Sequence, residues 1–494
     1  MIILGISAFS HDAAVTVLKD NKIVFASHSE RYSRIKNDSE LNKDIIRDAL
    51  KFGKPDKIYF YENSLKKKIR QLFSGQYNEV IKPFPKTNLK LLNIESPIFY
   101  TDHHKSHAAG GYYTSNFNDA AILSLDSIGE FETFTIWEGR NNKIKKIFSQ
   151  IYPHSVGLWF SAMTQRIGLI PQEHEYILMG MAALGDSNKY YHLIKNDFFS
   201  KFPNKNDASI KLKLNLHRGC KFWRKELKTK QQYYDIAAAV QKIYEELLEK
   251  IFDYMKFNIN TNNLILTGGT ALNCVANTKA FNYFKKVWIM PNPGDAGSSL
   301  GCILANINRK IKFDTSFLGY NIKGKYPIKK IMQELLTKKI TAVAFGKAEF
   351  GPRALGNRSI LADPRGNKVK DRVNKIKHRE PFRPFAPVIL QKDVHKYFDV
   401  PKGFSSPYMQ FAVKCKYPKR YPAIVHYDNT SRVQTVTKKD NPNLYNLLYK
   451  YKNKTGCPML LNTSLNIKGE PLVNNETDAK RWTKKYGVKI CLPD

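Results

Sequence analysis

At 494 residues the chain is longer than one ordinary domain, and two or three are expected. It is 42% hydrophobic, enough for real cores, but no apolar run approaches the roughly 20 residues of a membrane span, which argues against a helical membrane protein. Lys and Arg number 80 against 43 Asp and Glu, a net charge of +37, and a field of that sign draws polyanions such as nucleic acid. Six scattered cysteines (220, 274, 302, 415, 457 and 491) form no CxxC, so a reducing compartment is expected rather than a disulfide framework or zinc ribbon. The start, "MIILGISAFSHDAAVTV", reads as a strand without a basic leader or cleavage site, so it is not expected to be a signal peptide, and a cytoplasmic location is expected.

Residues 2–29 read as strands at Ile2–Ile6 and Ala13–Leu18, then "KIVFASHSE", with a loop carrying His11 and Asp12 between the first two. Residues 120–150 repeat the scheme: "AAILSLDSIGE", "FETFTIWEG", a turn at "RNN", then "KIKKIFSQ", with Asp126 in the acidic loop. Two lobes that each open in this way suggest the actin and Hsp70 architecture. Residues 232–256 have helical periodicity, with Ile236, Val240, Ile243, Leu247 and Ile251 on one face. "NLILTGG" and "KVWIMP" are strands feeding glycine-containing turns and helices, an arrangement that offers backbone N–H groups to phosphates. "RKIKFDTSFLGYNIKGKYP" reads as a linker, and a second α/β region begins near Ile328.

"TDHHKSHAAGGYY" (101–113) places His103 and His107 four apart, and His104 and His107 three apart; either pair can share a helix face. Between His103 and His107 the position where HExxH proteases carry their glutamate is taken by His104, followed by Lys105, so that mechanism is excluded. Further donors are expected at strand ends, where Asp126 and Asp295 lie. Two histidines with two aspartates suit Fe(II), Mn or Zn, with His104 the bystander. The turns "LTGGTALNCVAN" and "PNPGDAGSSLG" offer Asn273 and Ser298 or Ser299 to ribose or phosphate. Near the C-terminus "EFGPRALGNRSILADPRGNKVKDRVNKIKHREPFRPFAPVIL" sets arginines and lysines among Pro and Phe, which suits rigid phosphate recognition. "TSRVQTV" and "LLNTSLNIKGEP" add polar groups bordered by strands.

These strings, with "GISAFSHDAA", "LMGMAALG", "FGPRALGNRSILADPR" and "HREPFRPFAP", resemble in order and over nearly the whole chain the O-carbamoyltransferases of nodulation factors and of aminoglycoside and cephalosporin antibiotics. The resemblance implies an actin-like (ASKHA) α/β domain over 1–325, with a basic insert at about 196–231, and a YrdC-like α/β domain over 326–494. It implies that the C-terminal domain makes carbamoyladenylate from carbamoyl phosphate and ATP, supplied with Mg2+, and that the N-terminal domain transfers the carbamoyl group to an acceptor hydroxyl. By the same resemblance an iron is held by His103, His107, Asp126 and Asp295. His11, with Asp12 beside it, is the candidate base, and Gly268, Gly269 and Asn273 hold the adenylate. Arg353, Lys377, Arg379, Arg383, Arg432, Asn462 and Ser464 are implied at the carbamoyl phosphate and ATP site. Two strings depart from the family: "HEYILMGMAALG" has Ile177 where a lysine is usual, and "DNTSR" replaces "DGTAR".

The charge bears on the acceptor. Residues 201–230 carry ten Lys and Arg against two acids, interleaved with Phe202, Phe222 and Trp223, the mixture that phosphate tracking and base stacking use. Lys211, Lys213, Arg218, Lys221, Trp223, Arg224 and Lys225 are the expected nucleic-acid contacts, and "NSLKKKIRQLF" is a second basic patch. The leading expectation is a hydroxymethylated pyrimidine in DNA, such as 5-hydroxymethylcytosine, presented flipped or single-stranded. The alternatives are a small-molecule or polysaccharide acceptor, and a non-catalytic nucleic-acid-binding protein on the same scaffold.

Overall fold

The computed structural model describes residues 1–380 and 382–493, and it divides into two compact units: residues 1–26 with 39–313, and residues 27–38 with 314–494. Each is described in turn.

The first unit is a duplication. β1 (Ile2–Ser7) pairs antiparallel with β2 (Ala14–Lys19), whose other neighbour is β3 (Lys22–His28), and parallel with β4 (Lys57–Phe60), which pairs parallel with β5 (Ile98–Tyr100). The sheet order is β3-β2-β1-β4-β5. β6 (Asp119–Leu125), β7 (Glu132–Arg140) and β8 (Lys143–Ile151) form an antiparallel meander. The basic insert contributes a separate short pair, β9 (Phe199–Lys201) and β10 (Lys211–Leu212). β11 (Asn263–Thr267) and β12 (Lys286–Trp288) complete the second sheet in parallel, in the order β12-β11-β6-β7-β8. Two copies of one strand order make this the actin-type α/β architecture, and the faint repeat in the sequence is its trace.

In each copy the last strand feeds a helix. β5 leads to the His103–Thr114 helix and β12 to the Ser298–Ile307 helix. The first packs on β6 and β11, the second on β1 and β4, and the two pack on each other. Glycine allows this approach: a Cβ on Gly301 would sit 2.0 Å from the Ser106 carbonyl oxygen. Tyr112, Tyr113, Leu300 and Leu304 fill the core around the pair. The periodic 232–256 segment is the Lys230–Asn258 helix, started by a capping box in which Thr229 and Gln232 satisfy each other's backbone N–H groups.

In the second unit β13 (Phe317–Ile322) falls within the segment read as a linker; it pairs antiparallel with β15 (Gly346–Glu349), so a strand replaces that expectation. The main sheet joins β14 (Ile340–Ala344), β16 (Arg358–Ala362), β17 (Ala386–Leu390), β20 (Gln434–Val436), β21 (Met459–Ser464) and β22 (Ile490–Cys491) in the order β20-β17-β21-β16-β14-β22, while β18 (Ala412–Lys414) and β19 (Thr430–Arg432) pair apart. Residues 27–38 join this unit because Arg31 donates to the Gly351 carbonyl at 2.8 Å and Arg34 to those of Pro471 and Leu472. All six cysteines are reduced and buried. No helix among the described residues is long and apolar enough to cross a membrane.

Candidate metal centre and anion site

The paired helices meet at their N-terminal ends, and there the four expected donors converge. His103 and His107 lie on successive turns of one helix, Asp126 just past the end of β6, and Asp295 in the turn that opens the other helix. His103 Nε2 and His107 Nε2 are 3.0 Å apart, and each is 3.0–3.2 Å from Asp126 Oδ2. Asp295 Oδ1 is 3.5 and 3.4 Å from the same two nitrogens. One donor atom from each residue lies within 4.8 Å of every other. Two imidazole lone pairs facing each other at that distance repel unless a cation or a proton lies between them. Donors about 2.1 Å from a shared metal have this spacing, so the residues fit a cation.

The surroundings aim the ligands. His107 Nδ1 meets Ser298 Oγ at 3.2 Å, a partner that holds the ring with Nε2 turned toward the other donors. His103 is fixed through its backbone N–H, which donates to Glu130 Oε1 and Oε2 at 3.1 and 3.2 Å, and its Nδ1 has no hydrogen-bond partner. Asp126 Oδ1 accepts from the Ser127 N–H at 2.8 Å. Burial works against the charged imidazolium of His103, but Asp295 and Asp126 outweigh it and lift its pKa to about 10. His107 is raised by Asp126 and Asp295 against the same burial, and Asp126 is held well below the carboxylate range by both histidines. A bound cation would displace those protons and take over their charge. His104 stands apart: burial and its two histidine neighbours keep it neutral, and its Nδ1 faces Thr135 Oγ1 at 3.2 Å. It is a core residue tied to β7.

Glycines keep the approach to Asp126 open. Gly268 has φ +88°, and a Cβ there would meet the Leu125 carbonyl at 2.2 Å, while a Cβ on Gly269 would lie 3.1 Å from Asp126 Oδ1. The Gly268–Gly269 turn therefore lies directly against a ligand. Asn273 sits further round: its side chain caps Cys274–Asn277 and exchanges hydrogen bonds with Gln241 at 2.8 and 3.2 Å. His11 and Asp12 occupy the half-buried β1–β2 loop, where Phe9 and Asp12 both have positive φ. Tyr61 links that loop to the centre. Its ring packs 5.3 Å from His103, and burial, then Glu62 and Asp295, raise its pKa while Ser10 lowers it. Tyr61, Glu130 and Ser298 were not assigned to the metal site from sequence. Glu130 was within reach there, as the acid that closes "LSLDSIGE".

In the second unit Lys377 is buried among Ser464 and Asn466: Nζ donates to Ser464 O at 2.7 Å, to Ser464 Oγ at 3.2 Å and to Asn466 Oδ1. Burial, then the charges of Arg379 and Arg383, hold its pKa well below the lysine range. Arg379 covers Phe385 at 5.6 Å, and Arg383 pairs with Glu380 at 3.2 Å. Two arginines within electrostatic reach of a lysine that an anion would recharge suit a multiply charged anion. Asn462 donates to Gln434 Oε1 and Ala354 O, which brings it beside the turn that carries Arg353. Arg432 ends β19, paired with Ala412. Arg358, from the same basic string, has a different job: fully buried, it donates to the carbonyls of Asn474, Phe345, Asn357, Tyr320 and Gly346 and ties the unit together.

The basic insert requires a correction. Lys211, Lys213, Arg218, Lys221, Arg224 and Lys225 are exposed, but Trp223 is buried and its indole N–H donates to Asp197 Oδ2 at 2.8 Å. An insert of this length needs its own core, and Trp223 supplies it with Cys220 and Leu216; it is not a stacking surface.

Two family models match, described as carbamoyltransferase N-terminus over residues 2–69 and 60–304 and carbamoyltransferase C-terminus over 332–492. The chain belongs to the carbamoyltransferase family. It is an enzyme, and its activity is O-carbamoyl transfer. An uncharacterized protein of Synechocystis sp. is 32% identical over 97% of this chain and 93% of its own length. The 3'-hydroxymethylcephem-O-carbamoyltransferase of Amycolatopsis lactamdurans is 25% identical over 97% of this chain and 95% of its own. Among solved structures, the activator of 2-hydroxyisocaproyl-CoA dehydratase from Clostridium difficile with bound ADPNP aligns over 62% of this chain and 96% of its own, with a TM-score of 0.35 and 12% identity.

Proposed function

We propose that this carbamoyltransferase works in two steps and that its acceptor is a hydroxymethylated pyrimidine in DNA. In the second unit, water cleaves carbamoyl phosphate to carbamate and phosphate, and the carbamate oxygen attacks the α-phosphorus of ATP, giving carbamoyladenylate as pyrophosphate leaves. Lys377, Arg379 and Arg383 hold the carbamoyl phosphate, with Arg353, Arg432, Asn462 and Ser464 around the nucleotide, whose phosphates carry Mg2+. In the first unit the acceptor oxygen attacks the carbamoyl carbon, the bond from that carbon to the adenylate oxygen breaks, and AMP leaves. His11 takes the hydroxyl proton, with Asp12 in the same loop. The Gly268–Gly269 turn and Asn273 flank the adenylate. His103, His107, Asp126 and Asp295 would hold Fe(II), with Mn or Zn the other metals the donor set suits. When bound, the metal supplies a Lewis acid for the phosphate of the leaving group.

The convergence of four donors at the helix pair, in a chain matched by both family models, carries the two-step reading. The net charge of +37 supports a polyanionic acceptor, since a small neutral acceptor has no use for such a field. The reaction is expected to run in the cytoplasm. The test is incubation with ATP, carbamoyl phosphate and either hydroxymethylcytosine DNA or the free nucleoside, followed by digestion and mass spectrometry for the added carbamoyl group. Modification of the free nucleoside or a sugar, and never of DNA, refutes the DNA acceptor. That result would favour the second reading, a small-molecule or polysaccharide hydroxyl, which the cephem relative supports.

A further inference from the structure

The Ser64–Phe73 helix is inside out. Its buried face carries Arg70 and Gln71, while Leu65, Ile69, Leu72 and Phe73, spaced to form one stripe, are exposed, Phe73 by 81%. The following segment continues the pattern with Tyr77, Ile81, Phe84 and Leu91 exposed, and then Phe99 and Tyr100 on β5, the edge strand of the first sheet. Among the described residues, half of the exposed large apolar side chains lie between residues 65 and 100. They form one surface: Lys68 lies 4.8 Å over Phe84 and donates to the carbonyls of Val80 and Lys82, and the Lys86 N–H reaches the Tyr100 hydroxyl.

The polar inner face ties this surface to the metal centre. Arg70 Nε donates to the Glu130 carbonyl at 3.1 Å, and Glu130 also holds the His103 N–H. Lys66 pairs at 2.8 Å with Asp102, the residue before His103. In the other direction Gln76 Nε2 meets His217 Nε2 at 2.7 Å, joining the surface to the basic insert beside Arg218.

Charge decides among occupants. Residues 64–92 carry seven Lys and Arg against one acid, Glu79. A second copy of this chain, itself at +37, is repelled. Exposed aromatics interleaved with cations, and contiguous with a second basic strip, match a flexible anionic chain of stackable rings. We propose that the 64–100 surface binds single-stranded nucleic acid, with Phe73, Tyr77 and Phe84 as stacking platforms and Lys82, Lys86 and Lys90 on the phosphates. It rests on the DNA-acceptor reading and places the strand next to the centre that reading uses. It also supplies the stacking that buried Trp223 cannot.

The test uses the full chain, a fluorescently labelled oligothymidylate and anisotropy across a salt series. Phe73→Ala with Tyr77→Ala is expected to weaken binding about five- to a hundredfold, from the loss of base stacking. Lys86→Glu with Lys90→Glu is expected to flatten the dependence of log affinity on log salt by about 1.4, two phosphate contacts at roughly 0.7 each. All four positions are exposed, so unchanged thermal melts show that the variants fold. Wild-type affinity and salt slope in both variants would overturn the proposal. Binding of anionic phosphatidylserine vesicles that the same variants abolish, with oligonucleotide binding intact, would overturn it in favour of a membrane surface, and dimerisation lost in Phe73→Ala would overturn it in favour of a second copy. The acceptor reading fails separately: if the wild type binds the oligonucleotide through these residues but never carbamoylates hydroxymethylcytosine in it, the surface stands and the acceptor does not.

Discussion

Gly301→Ala tests whether the helix pair sets the metal centre. The new Cβ would lie 2.0 Å from the Ser106 carbonyl oxygen and 2.8 Å from its carbon, and both are backbone atoms of a buried helix that no rotamer can move aside. Restoring an ordinary contact near 3.2 Å needs the helices to part by roughly 1.2 Å, and overpacking of this kind costs about 1–3 kcal/mol. Ser298 lies on the helix that moves and Asp295 in the turn before it, so the 3.2 Å bond from His107 Nδ1 to Ser298 Oγ opens beyond hydrogen-bond range. Losing that orienting partner weakens metal binding by about 10–100-fold. The melting temperature should fall by about 1–2 °C for each kcal/mol lost, the shift expected for a unit of this size. The assays are thermal melts with and without metal, and competition against a chromophoric chelator. Ser298→Ala serves as the partner variant: it removes the hydroxyl without the clash, so it should lose affinity with little loss of melting temperature. A Gly301→Ala protein with wild-type melting temperature and wild-type metal affinity would refute the reasoning.

His107→Ala should abolish carbamoyl transfer yet leave ATP-dependent pyrophosphate release from carbamoyl phosphate intact; loss of both in a folded protein contradicts the division of labour. Because burial, then Arg379 and Arg383, depress Lys377, folding of the second unit releases a proton between that depressed value and the roughly 10.4 of a free lysine, so this lysine makes stability rise with pH across that window. An anion at the site reverses the shift: phosphate binding should take up protons in the wild type and fewer in Lys377→Met, read by calorimetry in buffers of different ionisation heat. Trp482→Ala removes a fully buried ring whose indole donates to Asn466 O at 3.1 Å, at a cost of about 3–5 kcal/mol in denaturant melts. It should also raise the KM for carbamoyl phosphate, because Asn466 holds Lys377. An unchanged KM in the folded variant would separate Asn466 from that site.

The local patterns were legible wherever one period or one strand end decided the outcome. The four-residue spacing of His103 and His107 puts both on one face of any helix, and the apolar runs before Asp126 and Asp295 mark those residues as loop positions past a strand. The three-strand opening repeated at residue 120 announced a duplicated fold, because hairpin strands and turn residues leave a local signature. Tertiary structure alone decided the rest, for a common reason: each case depends on which side of an element faces the protein. Trp223 reads as an exposed aromatic among lysines until the insert closes on it, and Arg358 reads as a phosphate ligand until five carbonyls are found around it. Ser298 became the partner of His107 only when two helices from opposite ends of the unit packed glycine to backbone. The Ser64–Phe73 segment reads in sequence as a basic patch, and only the fold shows that its apolar stripe is exposed as well. Arg70 is buried on the opposite side, where it donates to the Glu130 carbonyl, and the apolar side is outward.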